Sequence, residues 1–314
     1  MSINAGIGLM EFPFSGGKAF WKWVELCETG GVDSIWQSDR VVSREPVLEC
    51  MSVMAALAGA TDRIKFGMNV ASVGLRDPLL LAKQCATIDM LSGGRLLPAF
   101  GVGSPRAPEW LVTGRSSKGS GAMAEEGMEI MARLWSEDSV TFHGQHFHLD
   151  NASISPRPVQ KTLPLWIGGS SEAAMRRTAR LGTGWQGGGE TAAEMHVIVA
   201  RIKELALEQG RSMDPDHFGA GIAFRFGTWD DPIVARQGEA YRKRIGRDPK
   251  LAFAVGNAAD ILARVREYVD AGIAKFILRP VGAGDEDLLD QTRRMIGELL
   301  PGVAAMNVGR KAPD

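Results

Sequence analysis

Cysteine is scarce. The 314 residues hold three, Cys27, Cys50 and Cys85, far apart and without CxxC spacing. That excludes a disulfide-stapled scaffold and a cysteine-based zinc module, and reads as buried thiols in a reducing cytoplasm. Long apolar runs are lacking as well. None approaches the ~18 residues that span a bilayer, and the stretch from Met1 to Met10 has no basic region ahead of an apolar one, so neither a membrane span nor a secretory signal is expected. An excess of one charge is absent: 36 basic against 37 acidic side chains leave −1. Nothing electrostatic therefore calls for nucleic acid or an anionic membrane as partner. No GxSxG elbow occurs, which removes the serine hydrolases. Gly101-Val102-Gly103 follows an apolar run, but the third glycine of a dinucleotide fingerprint is missing and Ser104-Pro105 does not open a helix.

Glycine is what the chain has in excess: 38 of 314 residues, about 12% against a usual ~7%. Many tight turns, or backbone pressed against a ligand, would use it. With 45% hydrophobic and 23% charged residues the chain has the composition of a soluble globular protein. A helix-to-strand joint recurs at Gly30-Gly31, Gly93-Gly94, Gly182 and Gly272, each glycine suiting the left-handed turn past a helix end. Asp77-Pro78 and Glu45-Pro46 mark helix starts. Helical stretches run through 47–58, 79–91, 122–135, 173–181 and 258–268. Short apolar runs at 5–9, 64–70, 96–102 and 165–167 read as strands buried on both faces. About eight strand–helix units fit an α/β fold of the (β/α)8 TIM-barrel type, a single domain over 1–314. Two stretches break the rhythm. Residues 104–121 form a long loop after the fourth strand, either an active-site lid or a tolerated insertion; residues 140–149 alternate like a hairpin around Gly144.

His143, His146 and His148 lack an acidic or cysteine partner, so a structural hairpin outweighs a metal site, and no metal is expected. At Trp166-Ile167-Gly168-Gly169-Ser170-Ser171-Glu172 a strand ends in two glycines and two hydroxyl residues open a helix. Bare N–H groups at the positive end of a helix hold phosphate well; the alternative is that a serine merely caps its helix. Gly187 and Gly188 add a flexible neighbour after the next strand. Asp39-Arg40 ends the second strand, where a barrel presents polar groups to its ligand, though a surface ion pair is the competing explanation. The third strand ends in small residues at Val70-Ala71-Ser72-Val73-Gly74, suiting close approach of backbone to a flat ring.

Together these segments resemble the bacterial luciferase-like family of flavin- and deazaflavin-dependent oxidoreductases. The resemblance covers nearly the whole chain, through Gly31 to Asp39, Ala60 to Gly67, Asp89-Met90-Leu91-Ser92-Gly93-Gly94-Arg95, Gly101-Val102-Gly103, Phe142-His143-Gly144, Pro156 to Gln160, Pro164 to Gly169 and Gly182-Thr183-Gly184-Trp185. It implies a barrel, usually a homodimer, whose mouth binds reduced FMN or the deazaflavin coenzyme F420, acting on a small organic substrate. It also implies O2 if the reaction is a monooxygenation, and a separate flavin or deazaflavin reductase. Gly168, Gly169, Ser170 and Ser171 match the phosphate segment. Ser72-Val73 matches the third-strand end, where many members carry a non-proline cis peptide behind the ring. Gly101, Gly103 and Ser104 match the fourth-strand end. Asp39 matches a polar position near the ring, and Arg279 one that faces an anionic group of coenzyme or substrate.

Departures limit the reading. Arg40 stands where many members have His, and Ser104 stands where the sugar-phosphate dehydrogenases have an acid. No general acid or base is assigned beyond the pair Asp39 and Arg40. The expected function is a monooxygenase using reduced FMN and O2, with an F420-dependent hydride-transfer enzyme or a non-catalytic flavin-binding protein as alternatives. An aldolase-type barrel needs a Schiff-base lysine at a strand end, and Lys275 sits at a strand start. Trp110, in the long loop, is the best of several aromatic candidates for an apolar substrate pocket, with Phe12, Phe14, Trp21, Trp23 and Trp36 behind it.

Overall fold

The computed structural model describes residues 1–308, with only the backbone described at Arg244. Its strands are β1 (Asn4–Leu9), β2 (Ser34–Gln37), β3 (Lys65–Met68), β4 (Ala71–Ser72), β5 (Leu96–Leu97), β6 (Ala99–Gly101), β7 (Val140–His143), β8 (His148–Ala152), β9 (Trp166–Gly168), β10 (Gly184–Gly187), β11 (Phe218–Phe226), β12 (Phe253–Gly256) and β13 (Lys275–Pro280). β3 and β4 are one stave interrupted between Met68 and Ala71, and β5 and β6 are one stave interrupted at Pro98. Counted so, the parallel pairings run from β13 to β1, β2, β3/β4, β5/β6, β9, β10, β11 and back to β13. Eight staves thus close on themselves as a TIM barrel. β12 pairs with the far end of β11, and the expected hairpin is β7–β8, off the barrel.

Helices wrap this cylinder: α1 (Gly17–Thr29), α2 (Cys50–Ala60), α3 (Pro78–Leu91), α4 (Pro108–Val112), α5 (Ser120–Ser136), α6 (Glu172–Leu181), α7 (Ala192–Leu207), α8 (Pro232–Ile245), α9 (Ala258–Asp270), α10 (Asp285–Arg294) and α11 (Leu300–Ala305). Alternate strand residues such as Ala5, Ile7 and Leu9, or Phe218, Ala220 and Ile222, are buried beneath them in the main apolar core. That alternation is the pleat of a strand expressed on a barrel.

The lumen is where the glycines go. A barrel interior is normally filled by layers of branched aliphatics; here the lumen cluster is Trp36, Trp166, Ala99 and Ile277 with Val70 and Leu97. Two indoles need bare backbone opposite them. A Cβ at Gly67 would lie 2.6 Å from the Trp36 ring, and one at Gly184 would lie 2.7 Å from the Trp166 ring. Close packing leaves no slack for either.

Four local expectations need correcting. Glu45-Pro46 does not open a helix: α2 starts later, where the Glu49 carboxylate accepts from the N–H groups of Met51 and Ser52, and the Pro46 carbonyl instead accepts from Phe12 N–H at 2.7 Å. Gly182 is not left-handed, with φ −71, unlike Gly31, Gly94 and Gly272. A Cβ there would sit 2.9 Å from the Thr178 carbonyl, so close packing rather than handedness asks for glycine. The cis peptide lies at Asn69–Val70, not at Ser72–Val73. The loop over 104–121 is not structureless, since it carries α4. The hairpin turn does fall at Gly144, pinned by the Glu126 carboxylate, which accepts from the N–H groups of Gln145, His146 and Phe147.

Candidate functional site in the barrel mouth

All staves being parallel, their C-terminal ends share one rim. Val70, from the interruption between β3 and β4, projects into the lumen below it. A Cβ at Gly101 would lie 2.9 Å from a Val70 methyl, and one at Gly168 would lie 3.1 Å from both. The side chain therefore sits between two stave ends that are bare because it is there.

Beyond Gly168 the chain turns at Gly169, with φ 116. A side chain there would be strained and would also meet the Ala174 methyl at 3.0 Å. The Gly169 carbonyl is held by Trp185 Nε1–H at 2.8 Å. Ser171 caps α6 through its Oγ, which accepts from Ala174 N–H at 3.2 Å, and Ser170 and Ser171 are both exposed. The cap and the phosphate readings therefore coexist: one hydroxyl is committed, while Ser170, Glu172 and Ala173 are exposed beside it. Glu172, which would repel an anion at this helix end, is drawn aside by Arg176 at 2.8 Å and Arg201 at 3.0 Å.

Asp39 behaves unlike a group aimed at a ligand. Its two oxygens take Arg76 bidentately at 2.7 and 2.8 Å, accept the Ser72 N–H at 2.9 Å, and meet the Cys50 thiol at 3.4 Å. Burial alone would lower the Arg76 pKa, but the Asp39 carboxylate more than reverses it, so the guanidinium is held above its ordinary value. Burial pushes the Cys50 thiol well up, with the Asp39 charge adding to it. Asp39, Glu49 and Cys50 lie close enough to hold a metal, but the Arg76 cation occupies the ground between them. Arg40 turns away toward Glu109 of α4, at 3.7 Å, and Glu109 is buried with one oxygen lacking a partner among the described residues.

The family model for luciferase-like monooxygenases matches residues 15–242. The chain belongs to that family. An uncharacterized protein of Mycobacterium tuberculosis is 33% identical over 169 residues, 54% of this luciferase-like chain and 57% of that one. The chain thus spans little more than half the length of that relative. An F420-dependent secondary alcohol dehydrogenase, solved with an F420–acetone adduct, superposes with a TM-score of 0.82 at 20% identity, over 96% of this chain and 99% of that one. The oxygenating constituent of 3,6-diketocamphane monooxygenase from Pseudomonas putida, solved with FMN, gives 0.77 at 16% identity, over 96% and 98%. Both likenesses establish the barrel.

Within this luciferase-like barrel the expected residues divide. Ser72, Gly101, Gly103, Gly168, Gly169 and Ser170 gather around Val70 and the rim, and a Cβ at Gly103 would touch the Ser72 hydroxyl at 2.9 Å. Val73 turns outward and is fully buried, its methyl facing Gly127 of α5. Gly187 is bare for packing, since a Cβ would meet Met195 and Trp185 at 2.7 Å, while Gly188 is exposed and donates to Glu190 at 2.8 Å. Ser104 is exposed, its carbonyl accepting from Trp110 Nε1–H at 2.9 Å. Trp110 is 4% exposed and wedges against Gly74 and Gly103, so it anchors the loop rather than lining a pocket. Trp23 and Trp36 are fully buried core, and Phe12 reaches a cavity.

That cavity, about 790 Å³, lies at the C-terminal ends of β1 and β13, flanked by Ala223 of β11 and Phe253 at the start of β12, beneath α8. Arg279 is in its wall, at an inward position two residues past Ile277. Sequence reasoning missed Arg76 and Glu109. No local pattern marks them: each acquires its role from a partner at the end of β2.

Proposed function

We propose that this chain is a coenzyme-dependent oxidoreductase that holds reduced FMN by its phosphate at Gly168–Ser171, sets the ring against Val70, and binds a small organic substrate in the cavity beside Arg279. The observation that carries the reading is the cleared strip at the rim: Gly101 and Gly168 bare over Val70, and Gly169 leading into a ten-residue helix whose first two residues, Glu172 and Ala173, are exposed. Those residues fit a flat ring with an anionic tail. Positive φ and absent side chains let backbone approach the ligand, and the helix end favours its phosphate.

The coenzyme supplies the redox chemistry, which no side chain here can perform. The protein's share is positioning. Arg76 and Asp39 fix the Ser72 backbone below the ring site, Trp110 pins the loop from Ser104, and the aromatic lumen seals the floor against water. Arg279 offers its guanidinium to an anionic group of the ligand. Oxygenation of the substrate with O2 is the reaction favoured, served by a separate reductase, with the chain acting as a homodimer of one barrel domain per copy. A second reading, hydride transfer from F420, has the structural neighbour solved with the F420–acetone adduct in its favour.

Anaerobic titration of the purified protein with reduced FMN and reduced F420, followed by air, separates them. Tight FMN binding and a transient near-ultraviolet band on admitting air support oxygenation. Binding of F420 alone supports hydride transfer. Failure of both to bind, or binding unaffected by Gly168→Val, sinks the site.

A further inference from the structure

The cavity beside the barrel axis carries one thioether in its wall. Met10 follows the last residue of β1, lines the cavity and is 38% exposed. Its Sδ lies 3.2 Å from Nη1 of Arg279. The main chain at this point is fixed, because the Ser38 hydroxyl donates to the Met10 carbonyl at 2.5 Å. Met90, 50% exposed on α3, is the other exposed methionine among the described residues.

We propose that Met10 is a modification site for hydrogen peroxide, oxidised to one sulfoxide epimer that Arg279 then holds. The sulfur attacks one peroxide oxygen, the O–O bond breaks, and the second oxygen leaves as water after proton transfer. The thioether gives up two electrons and the peroxide takes them. A thioether sulfur has two lone pairs, and oxygen on one or the other gives opposite epimers. Arg279 Nη1 engages one of them, which leaves the other for peroxide arriving through the cavity that both residues line. The product oxygen is a much stronger acceptor than sulfur. A turn about the last side-chain bonds brings it onto the guanidinium as a charge-assisted hydrogen bond. Oxidation therefore makes an apolar wall polar and occupies the cation that faces the cavity. This goes beyond the coenzyme reading and holds whichever coenzyme binds.

The test uses the coenzyme-free full chain. The protein is treated with hydrogen peroxide and digested. The Met10 and Met90 peptides are then exposed separately to the two methionine sulfoxide reductases, each specific for one epimer. Both methionines should oxidise. Met10 should show one epimer in about tenfold excess or more, the bias of one hydrogen bond to a charged group, while Met90 gives nearly equal amounts. In Arg279→Leu the Met10 excess should collapse toward one. Arg279→Ala, which also removes the donor, serves if the leucine variant does not fold. Equal epimers at Met10 in the wild type, a Met10 left unoxidised while Met90 reacts, or selectivity unchanged in either variant would overturn the proposal. None of these outcomes bears on coenzyme binding, which the titration reads separately.

Discussion

Replacing Asp39 with Asn separates a structural carboxylate from a catalytic one. The substitution keeps the shape and removes the charge. In the native chain the carboxylate side chain is 2% exposed and Arg76 14% exposed, and both guanidinium nitrogens are taken bidentately. Removing one partner of a buried pair usually costs about 3–5 kcal/mol, because the other charge stays buried. Two features reduce that here. The amide oxygen can still accept the Ser72 N–H, and Glu49 keeps its contact with Arg76 at 3.0 Å. One charge-assisted bond is lost and an amide NH2 is turned against a donor. A destabilisation of about 2–4 kcal/mol is expected for Asp39→Asn, read by urea unfolding of the coenzyme-free protein. The double variant Asp39→Asn/Arg76→Met should recover at least about 1 kcal/mol of it, since the orphaned cation is gone. If Asp39→Asn is as stable as the wild type yet loses coenzyme binding or turnover, the carboxylate acts on the ligand and the account of Arg76 fails.

Gly168→Ala places a methyl 3.1 Å from both Val70 methyls; coenzyme affinity should fall about tenfold or more while unfolding free energy changes by about 1–2 kcal/mol, and a variant that binds as tightly as the wild type contradicts the ring site. Trp110→Ala removes a buried indole that anchors the loop, so about 3–5 kcal/mol should be lost and limited proteolysis should cut between 104 and 119; an uncut loop refutes the anchoring role. Gly67→Ala puts a methyl 2.2 Å from the Leu97 carbonyl and 2.6 Å from the Trp36 ring, and soluble expression should drop sharply, with normal expression and Tm counting against the packed lumen. Burial pushes the Tyr268 phenol up to about 12 from its ordinary value near 10. A raised pKa means that the neutral phenol's contribution is intact below about pH 10 and is lost as pH climbs through 12; relative to Tyr268→Phe, the wild type should lose about 2 kcal/mol between pH 9 and pH 12, and an unchanged difference would mean the hydroxyl is not buried.

The barrel was legible in the sequence because strand and helix signals are local. Apolar runs of the right length, Asp77-Pro78 and the glycines at 31, 94 and 272 all act within a few residues of where they stand. Errors came where two meanings share one residue type. Glu45-Pro46 has the form of a helix start, yet a carboxylate three residues further along caps better, and only the placement of Phe12 explains what Pro46 does. Gly182 looks like a turn glycine and is a packing glycine, a distinction that depends on where the Thr178 carbonyl lies. The same ambiguity runs through Gly187, assigned to the ligand by sequence and to Met195 and Trp185 by geometry.

The site was legible only as segments. Gly168 to Ser171 announces itself, since strand, glycines, hydroxyls and helix are contiguous. Asp39 announces itself too, but for the wrong reason: its neighbours in sequence suggest a ligand-facing acid, whereas its neighbours in space are Arg76, Ser72 and Cys50, drawn from the following stave and the helices beside it. A barrel mouth assembles residues from eight separate turns of chain, so the partner that decides a side chain's role is rarely within reach of any local pattern. The glycine excess shows the same logic from the other side. Read locally it could mean turns or a ligand; in the folded chain Gly67, Gly184, Gly101 and Gly168 make room for Trp36, Trp166 and Val70. Two indoles in a lumen usually filled by aliphatics require bare backbone across from them, and that same bareness, continued one layer higher at Gly101 and Gly168, is what opens the mouth to a ring.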